Sequence, residues 1–187
     1  MKVLLPLCLA ALALAACQRA PEGATPAPAA ATPSPATATA TPTQSASTKA
    51  QPSLRVTTVD GQAYDLAAHR GNWVVVNFWA TWCAPCLKEM PELSALAALR
   101  EHVDVVGLAY EEIEPAALQA FLKAHPVVYP IAIVDVYDPP QDFATPRGLP
   151  TSYLIGPDGK VAKRFLGPVT ARDVEAAIAA AGGPRAG

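Results

Sequence analysis

The sequence predicts an α/β domain built as a three-layer sandwich around a mixed β-sheet, and three observations carry that expectation. From Leu54 onward the pattern runs strand, helix, strand, helix, strand, then a strand pair and a last helix, an order that calls for parallel neighbours first and an antiparallel pair at the end. The stretch Trp73–Ala80 (Trp-Val-Val-Val-Asn-Phe-Trp-Ala) is almost continuously apolar, as a strand covered on both faces must be. Directly after it, where strand gives way to helix, stand two cysteines in Cys-x-x-Cys spacing, Cys83 and Cys86.

The elements follow in order. Leu54–Val59 and Ala63–Leu66, joined by Asp60-Gly61, form a hairpin. After the Trp73–Ala80 strand, Pro85 to about Arg100 carries Leu87, Met90, Leu93, Leu96 and Ala97 at helical spacing, interrupted by Pro91, which lacks an amide donor and should kink the helix. Val103–Ala109 is a second buried strand, Pro115–Ala124 a helix with Leu118, Phe121 and Leu122 inward, and Ile131–Val134 a further strand entered through Pro130. The proline-rich stretch from Asp138 to Arg147 is irregular, with room for one helical turn around Phe143. Thr151–Ile155 and Lys160–Phe165 flank the turn Gly156-Pro157-Asp158-Gly159 as an antiparallel pair. Thr170 caps a final helix that runs to about Ala181 and ends at Gly182.

What precedes the domain reads differently. Residues 1–16 hold one charge, Lys2, and an apolar run from Val3 to Ala15, too short for the ~20 residues that span a bilayer. This is the pattern of a signal peptide, and its end, Leu14-Ala15-Ala16-Cys17, resembles the bacterial lipobox, which implies lipidation of Cys17. Ordinary cleavage after Ala15 or Ala16 is the alternative, with Cys17 then incidental. Gln18 stands where aspartate would retain an enterobacterial lipoprotein in the inner membrane, so the outer membrane is the favoured destination on the periplasmic side. Residues 17–52 are then a lipidated cysteine and a disordered spacer of Ala, Pro, Thr and Ser, and residues 53–187 the folded domain. A spacer of this length spans roughly 30–35 Å as a coil and up to ~110 Å if extended as polyproline.

A net charge of −2 leaves no basic excess for nucleic acid or an anionic surface. Four cysteines, Cys8 in the leader, Cys17 at its end and the close pair, are not the dispersed framework of a disulfide-stapled scaffold. The pair therefore carries the chemistry. At a helix N-terminus the unpaired amides and the helix dipole stabilise a thiolate, bringing its pKa from ~8.5 toward neutrality. Cys83 is thus the nucleophile, and Cys86, one turn in and more shielded, resolves the mixed disulfide. A zinc site would need about four ligands, and no second Cys or His pair is present; a c-type haem site would need histidine at position 87, which is Leu. A purely structural disulfide stays open. His69, His102 and His125 have no partners at ligand spacing and are assigned surface or packing roles, and Trp73 and Trp79 belong to the core.

The run Phe78-Trp79-Ala80-Thr81-Trp82-Cys83-Ala84-Pro85-Cys86, with Glu89-Met90-Pro91 and Gly148-Leu149-Pro150-Thr151, resembles the TlpA/ResA group of thioredoxin-like extracytoplasmic disulfide reductases, over roughly residues 53–187. The resemblance implies a thioredoxin-like sandwich in which Pro150 is cis and faces the redox pair, and Leu149 offers backbone hydrogen bonds to an extended substrate. It implies that Glu89, three residues beyond Cys86, shares in the proton chemistry of the cysteines, against the plainer reading of a solvated glutamate on a surface helix. Asn77 stands where thioredoxin has a buried, titrating aspartate. Trp82, beside the nucleophile, shields it and contacts substrate. The segment Glu114–Asp135 resembles the helix-strand unit that this group inserts into the core.

The function expected is extracytoplasmic reduction of disulfides in exported proteins such as apocytochrome c, with no cofactor beyond the Cys83–Cys86 pair, no resident metal and no nucleic acid. The partners are then a cysteine-containing exported protein, a membrane electron donor of the thiol-relay type and the membrane itself through the lipid anchor, with the chain a monomer. Two other readings use the same cysteines. A peroxiredoxin would need a Pro-x-x-x-Thr-x-x-Cys loop, which Thr81, two residues before Cys83, does not match. A copper or haem delivery module is the other; copper delivery would favour Cys-x-x-x-Cys with a distal histidine, and the spacing here is shorter.

Overall fold

The computed structural model describes residues 47–185. The leader, Cys17 and the spacer as far as residue 46 lie outside the described residues, and with them the expectations of cleavage and lipidation. Within the described residues no helix is long and apolar enough to cross a membrane.

Seven strands and three helices follow one another: β1 (Arg55–Thr57), β2 (Ala63–Asp65), β3 (Trp73–Trp79), α1 (Ala84–Leu99), β4 (Val103–Tyr110), α2 (Pro115–Ala124), β5 (Ile131–Val134), β6 (Thr151–Ile155), β7 (Val161–Leu166) and α3 (Ala171–Ala180). The main sheet has the order β5-β4-β3-β6-β7, with β3, β4 and β5 parallel and β6 and β7 antiparallel, which is the mixed sheet expected. Every residue of β3 is buried, as its apolar run requires at the centre of a covered sheet.

Side-chain alternation along β3 sorts the core into two halves. Trp73, Val75 and Trp79 join Met90, Leu93, Leu118, Val174 and Ile178, so all three helices pack on one face. Crossover handedness explains this for α1 and α2: β3 to β4 and β4 to β5 step in the same direction across the sheet, and two right-handed crossovers in one direction place their helices on one side, where α3, after β7, also packs. Val74, Val76 and Phe78 face the other way, onto Leu54, Tyr64, Leu66, Phe143 and Tyr153. The third layer of the sandwich is therefore the β1–β2 hairpin, a 3-10 turn at Leu66–His69 and the irregular segment before β6.

The hairpin is shorter than its sequence pattern suggests. Asp65 caps the 3-10 turn by accepting from the Ala67 amide at 2.9 Å, which ends β2, and Thr58 leaves β1 to bridge Ala132 on β5. Around Phe143 there is a hydrogen-bonded turn, with the Phe143 amide donating to the Pro140 carbonyl at 3.1 Å, and no helix. Phe143 nonetheless enters the core edge-on to Phe78 and Tyr153, at centroid distances of 5.9 and 5.2 Å.

The domain begins to form contacts before Ser53. The Thr48 hydroxyl accepts from the Ala144 amide, the Lys49 amide donates to the Asp142 carbonyl, and the Ala50 carbonyl accepts from the Val161 amide, each at 2.9 Å. Residues 48–50 of the expected disordered spacer are thus held by backbone polar groups that a polar, apolar-poor composition does not reveal. The histidines have packing roles where partners are resolved: His69 stacks on Tyr64 and meets Asp104 at 2.9 Å, and His125 stacks on Phe121.

Candidate redox site

The site forms where β3 ends. Ala80 to Cys83 makes a tight turn, the Cys83 amide donating to the Ala80 carbonyl at 3.1 Å, and α1 starts at once. Cys83 is the N-cap of α1, in extended backbone conformation, and its sulfur accepts from the Cys86 amide at 3.3 Å. That contact is the sulfur counterpart of an oxygen cap, and Pro85 suits the first turn because its missing amide would have no partner there. Cys83 and Cys86 are joined as a disulfide, Cα to Cα 5.2 Å. Cys83 is 4% exposed and Cys86 fully buried, the order of accessibility the sequence suggested.

On the helix face of the sheet, three residues beyond Cys86 along α1, lies a buried polar network centred on Glu89. Glu89 is 2% exposed, so it is no surface glutamate. One carboxylate oxygen accepts from Asn77 Nδ2 at 2.8 Å and the other from the Val169 amide at 2.9 Å, while Asn77 Nδ2 also reaches the Ser152 hydroxyl at 2.9 Å. Asn77 comes from β3 and Val169 from the connection into α3, and both meet the Glu89 side chain of α1, while Ser152 from the neighbouring β6 meets Asn77 behind it. Burial raises the Glu89 carboxyl to about 7, and the Val169 and Asn77 hydrogen bonds hold it from rising further. Its charge in turn pushes the buried Tyr129 phenol upward, after burial itself. Ser152 and Val169 had no mark in the sequence: a serine in a strand and a valine in a loop enter the network by backbone geometry alone.

The Leu149–Pro150 peptide bond is cis, as expected. Phe78 pairs with Thr151, so the cis bond lies at the end of the sheet that carries Cys83. The Gly167 amide donates to the Pro150 carbonyl at 2.9 Å and the Thr151 hydroxyl to the Gly148 carbonyl at 2.7 Å, which ties this loop to β7 and to itself. Leu149 is half-buried between both core halves. Trp82 is 70% exposed, a large apolar surface beside the disulfide. One residue of this end went unnoticed in the sequence. Glu111, just past β4, accepts from the Thr81 amide at 2.7 Å and the Thr81 hydroxyl at 2.9 Å.

A mixed sheet with a dithiol pair at the head of the helix after its central strand, and a cis-proline on the adjoining antiparallel strand, is the thioredoxin-like α/β fold. A family model described as Redoxin matches residues 38–180. The chain is 35% identical over 135 residues to the thiol-disulfide oxidoreductase ResA of Bacillus cereus, covering 68% of this chain and 73% of that one. It is 32% identical over 125 residues to the ResA of Geobacillus thermodenitrificans, covering 66% and 71%. Among solved structures, a thioredoxin-family thiol:disulfide interchange protein from Chlorobium tepidum is similar with a TM-score of 0.60 and 26% identity, over 73% of this chain and 97% of that one. The chain belongs to the Redoxin family, as a thioredoxin-like thiol-disulfide oxidoreductase of the TlpA/ResA type.

Proposed function

We propose that this oxidoreductase works outside the cytoplasm as a reductant of disulfides in exported proteins, apocytochrome c among them, held to a membrane through Cys17. The observation that carries the reading is the pairing of Cys83, at the head of α1, with Cys86 buried behind it and a carboxyl, Glu89, buried three residues further on. In the reduced chain the Cys83 thiolate attacks a client disulfide, forming a bond to one client sulfur and expelling the other as thiolate, which takes up a proton. Cys86 passes its proton to the Glu89 carboxylate and attacks the Cys83 sulfur, releasing the second client thiolate. Two electrons have then passed to the client and the Cys83–Cys86 disulfide is restored. A carboxyl close to pKa 7 suits a proton acceptor at neutral pH.

Trp82 and the backbone at Leu149, ahead of cis-Pro150, are the surfaces offered to the client chain. The dipeptide Ala84-Pro85 adds no charge beside Cys83, which favours a potential near the thioredoxin end of the range, about −270 mV, over the oxidant end, about −120 mV. Such a monomer must be re-reduced by a membrane thiol donor drawing on cytoplasmic electrons. The spacer gives the reach to meet a donor and a client, and Gln18 favours the outer membrane as the anchor. Equilibration of the purified protein in glutathione buffers tests the direction: a potential below about −200 mV is expected, and one above about −180 mV would overturn the reductive reading.

A further inference from the structure

We propose that Glu111 is a positioning residue for the nucleophile, acting through Thr81. The turn that delivers Cys83 to the head of α1 has Thr81 and Trp82 as its two central residues. Trp82 is exposed, so no burial of its ring holds the turn in place. The Thr81 amide lies beyond the end of β3, where no strand can pair with it. What meets it is a carboxylate thirty residues away in sequence: Glu111 takes the Thr81 amide with one oxygen at 2.7 Å and the hydroxyl with the other at 2.9 Å. Two hydrogen bonds to the two oxygens of one carboxyl group fix orientation as well as distance.

The clamp has a consequence for thiol chemistry. β4 is anchored in the sheet beside β3, with Ala109 opposite Trp79, so Glu111, just past its end, reaches from the end of the sheet onto the turn at Thr81. Cys83 benefits from the helix amides only while it stays at the N-cap, and attack on a disulfide needs its sulfur on a set line of approach. Holding Thr81 holds both. This role concerns the exchange step in either direction and does not depend on the reductive reading above.

The experiment uses the full chain, reduced, with Glu111→Ala, Glu111→Gln, Thr81→Val and Thr81→Ser variants. The rate of Cys83 alkylation is followed against pH, together with the rate of reaction with a disulfide-bonded peptide. Glu111→Gln removes the charge but can still accept from the amide and donate to the hydroxyl; Glu111→Ala removes charge and clamp together. The two variants are thus electrostatically alike and differ in geometry. Glu111→Ala should react with the peptide about tenfold more slowly than Glu111→Gln, with its alkylation profile displaced to higher pH. Equal rates and superimposed profiles would overturn the proposal. If Glu111→Ala does not fold, the threonine pair decides: Thr81→Ser should match the wild type and Thr81→Val should be slower, and identical rates for the two would equally overturn it.

Discussion

Glu89 is the residue whose environment most exceeds its sequence context. It spends its carboxylate on two donors, Asn77 Nδ2 and the Val169 amide, inside an apolar interface, and burial dominates the balance. Its folded pKa of about 7 lies above the ordinary value of 4.5, so the fold bears no cost from it below pH 4.5, where both states are protonated. The cost grows between 4.5 and 7 and is complete above 7, on the order of 3 kcal/mol at most. Glu89→Gln should therefore flatten the fall in melting temperature of the oxidised protein between pH 5 and 8. An unchanged slope would show that the carboxyl does not titrate there. Asn77 suits this partner because an amide can serve either protonation state: it donates to the anion as seen, and turned over it accepts from the acid. Asn77→Leu should lift the pH midpoint of the exchange rate by leaving Glu89 with one donor fewer, which a pH profile of the single-turnover rate checks.

At the scale of elements, the site depends on how closely β4 lets its neighbours approach. Gly107 pairs with Asn77 on one side and with Ile131 on the other, on the face where Trp79 and Tyr129 pack. A Cβ there would stand 2.4 Å from Ile131 Cδ1 and 3.2 Å from Tyr129 Cε2, so the Ile131 side chain would have to shift within the packed layer. Gly107→Ala should cost about 1–3 kcal/mol of stability, read from the urea midpoint at unchanged slope. α3 shows a smaller effect of the same kind. Thr170 and Asp173 form a capping box, the hydroxyl accepting from the Asp173 amide and the carboxylate from the Thr170 amide. Thr170→Ala should destabilise by about 1 kcal/mol. Because the Val169 amide that holds Glu89 is next to this cap, the same variant should also move the pH dependence of exchange, a coupling that a change in stability alone would not produce.

For the whole molecule the question is how the domain is held. The proposed lipid anchor at Cys17 rests on the run Leu14-Ala15-Ala16-Cys17 and the Ala, Pro and Thr composition that follows it. Cys17→Ala should shift the protein from membrane to soluble extract on fractionation, since acyl chains contribute ~0.8 kcal/mol per buried methylene. Unaltered membrane association of that variant would refute the anchor. The domain starts a few residues earlier than composition suggests, because Thr48, Lys49 and Ala50 are tied to Ala144, Asp142 and Val161.

By itself the sequence determined the order of elements, the mixed sheet and the place of the dithiol pair. Those rest on local signals: the apolar run of β3, the helical spacing after Pro85, turn residues at Gly156–Gly159, a threonine cap at Thr170. It also marked Cys83, Cys86, Glu89 and Pro150 through their motif. Tertiary structure alone decided that Glu89 is buried, that Asn77 and Val169 bond to it while Ser152 meets Asn77, and that Glu111 grips Thr81. These contacts join residues 12 to 80 positions apart, and no periodicity along the chain encodes which of them will meet. The shared side of α1 and α2 belongs to the same class, following from two like-handed crossovers across β3, β4 and β5, with the opposite face left to the hairpin and the Phe143 segment. A local pattern specifies an element and its buried face; what a buried polar group bonds to is settled only when the sheet brings distant backbone and side chains within 3 Å of it.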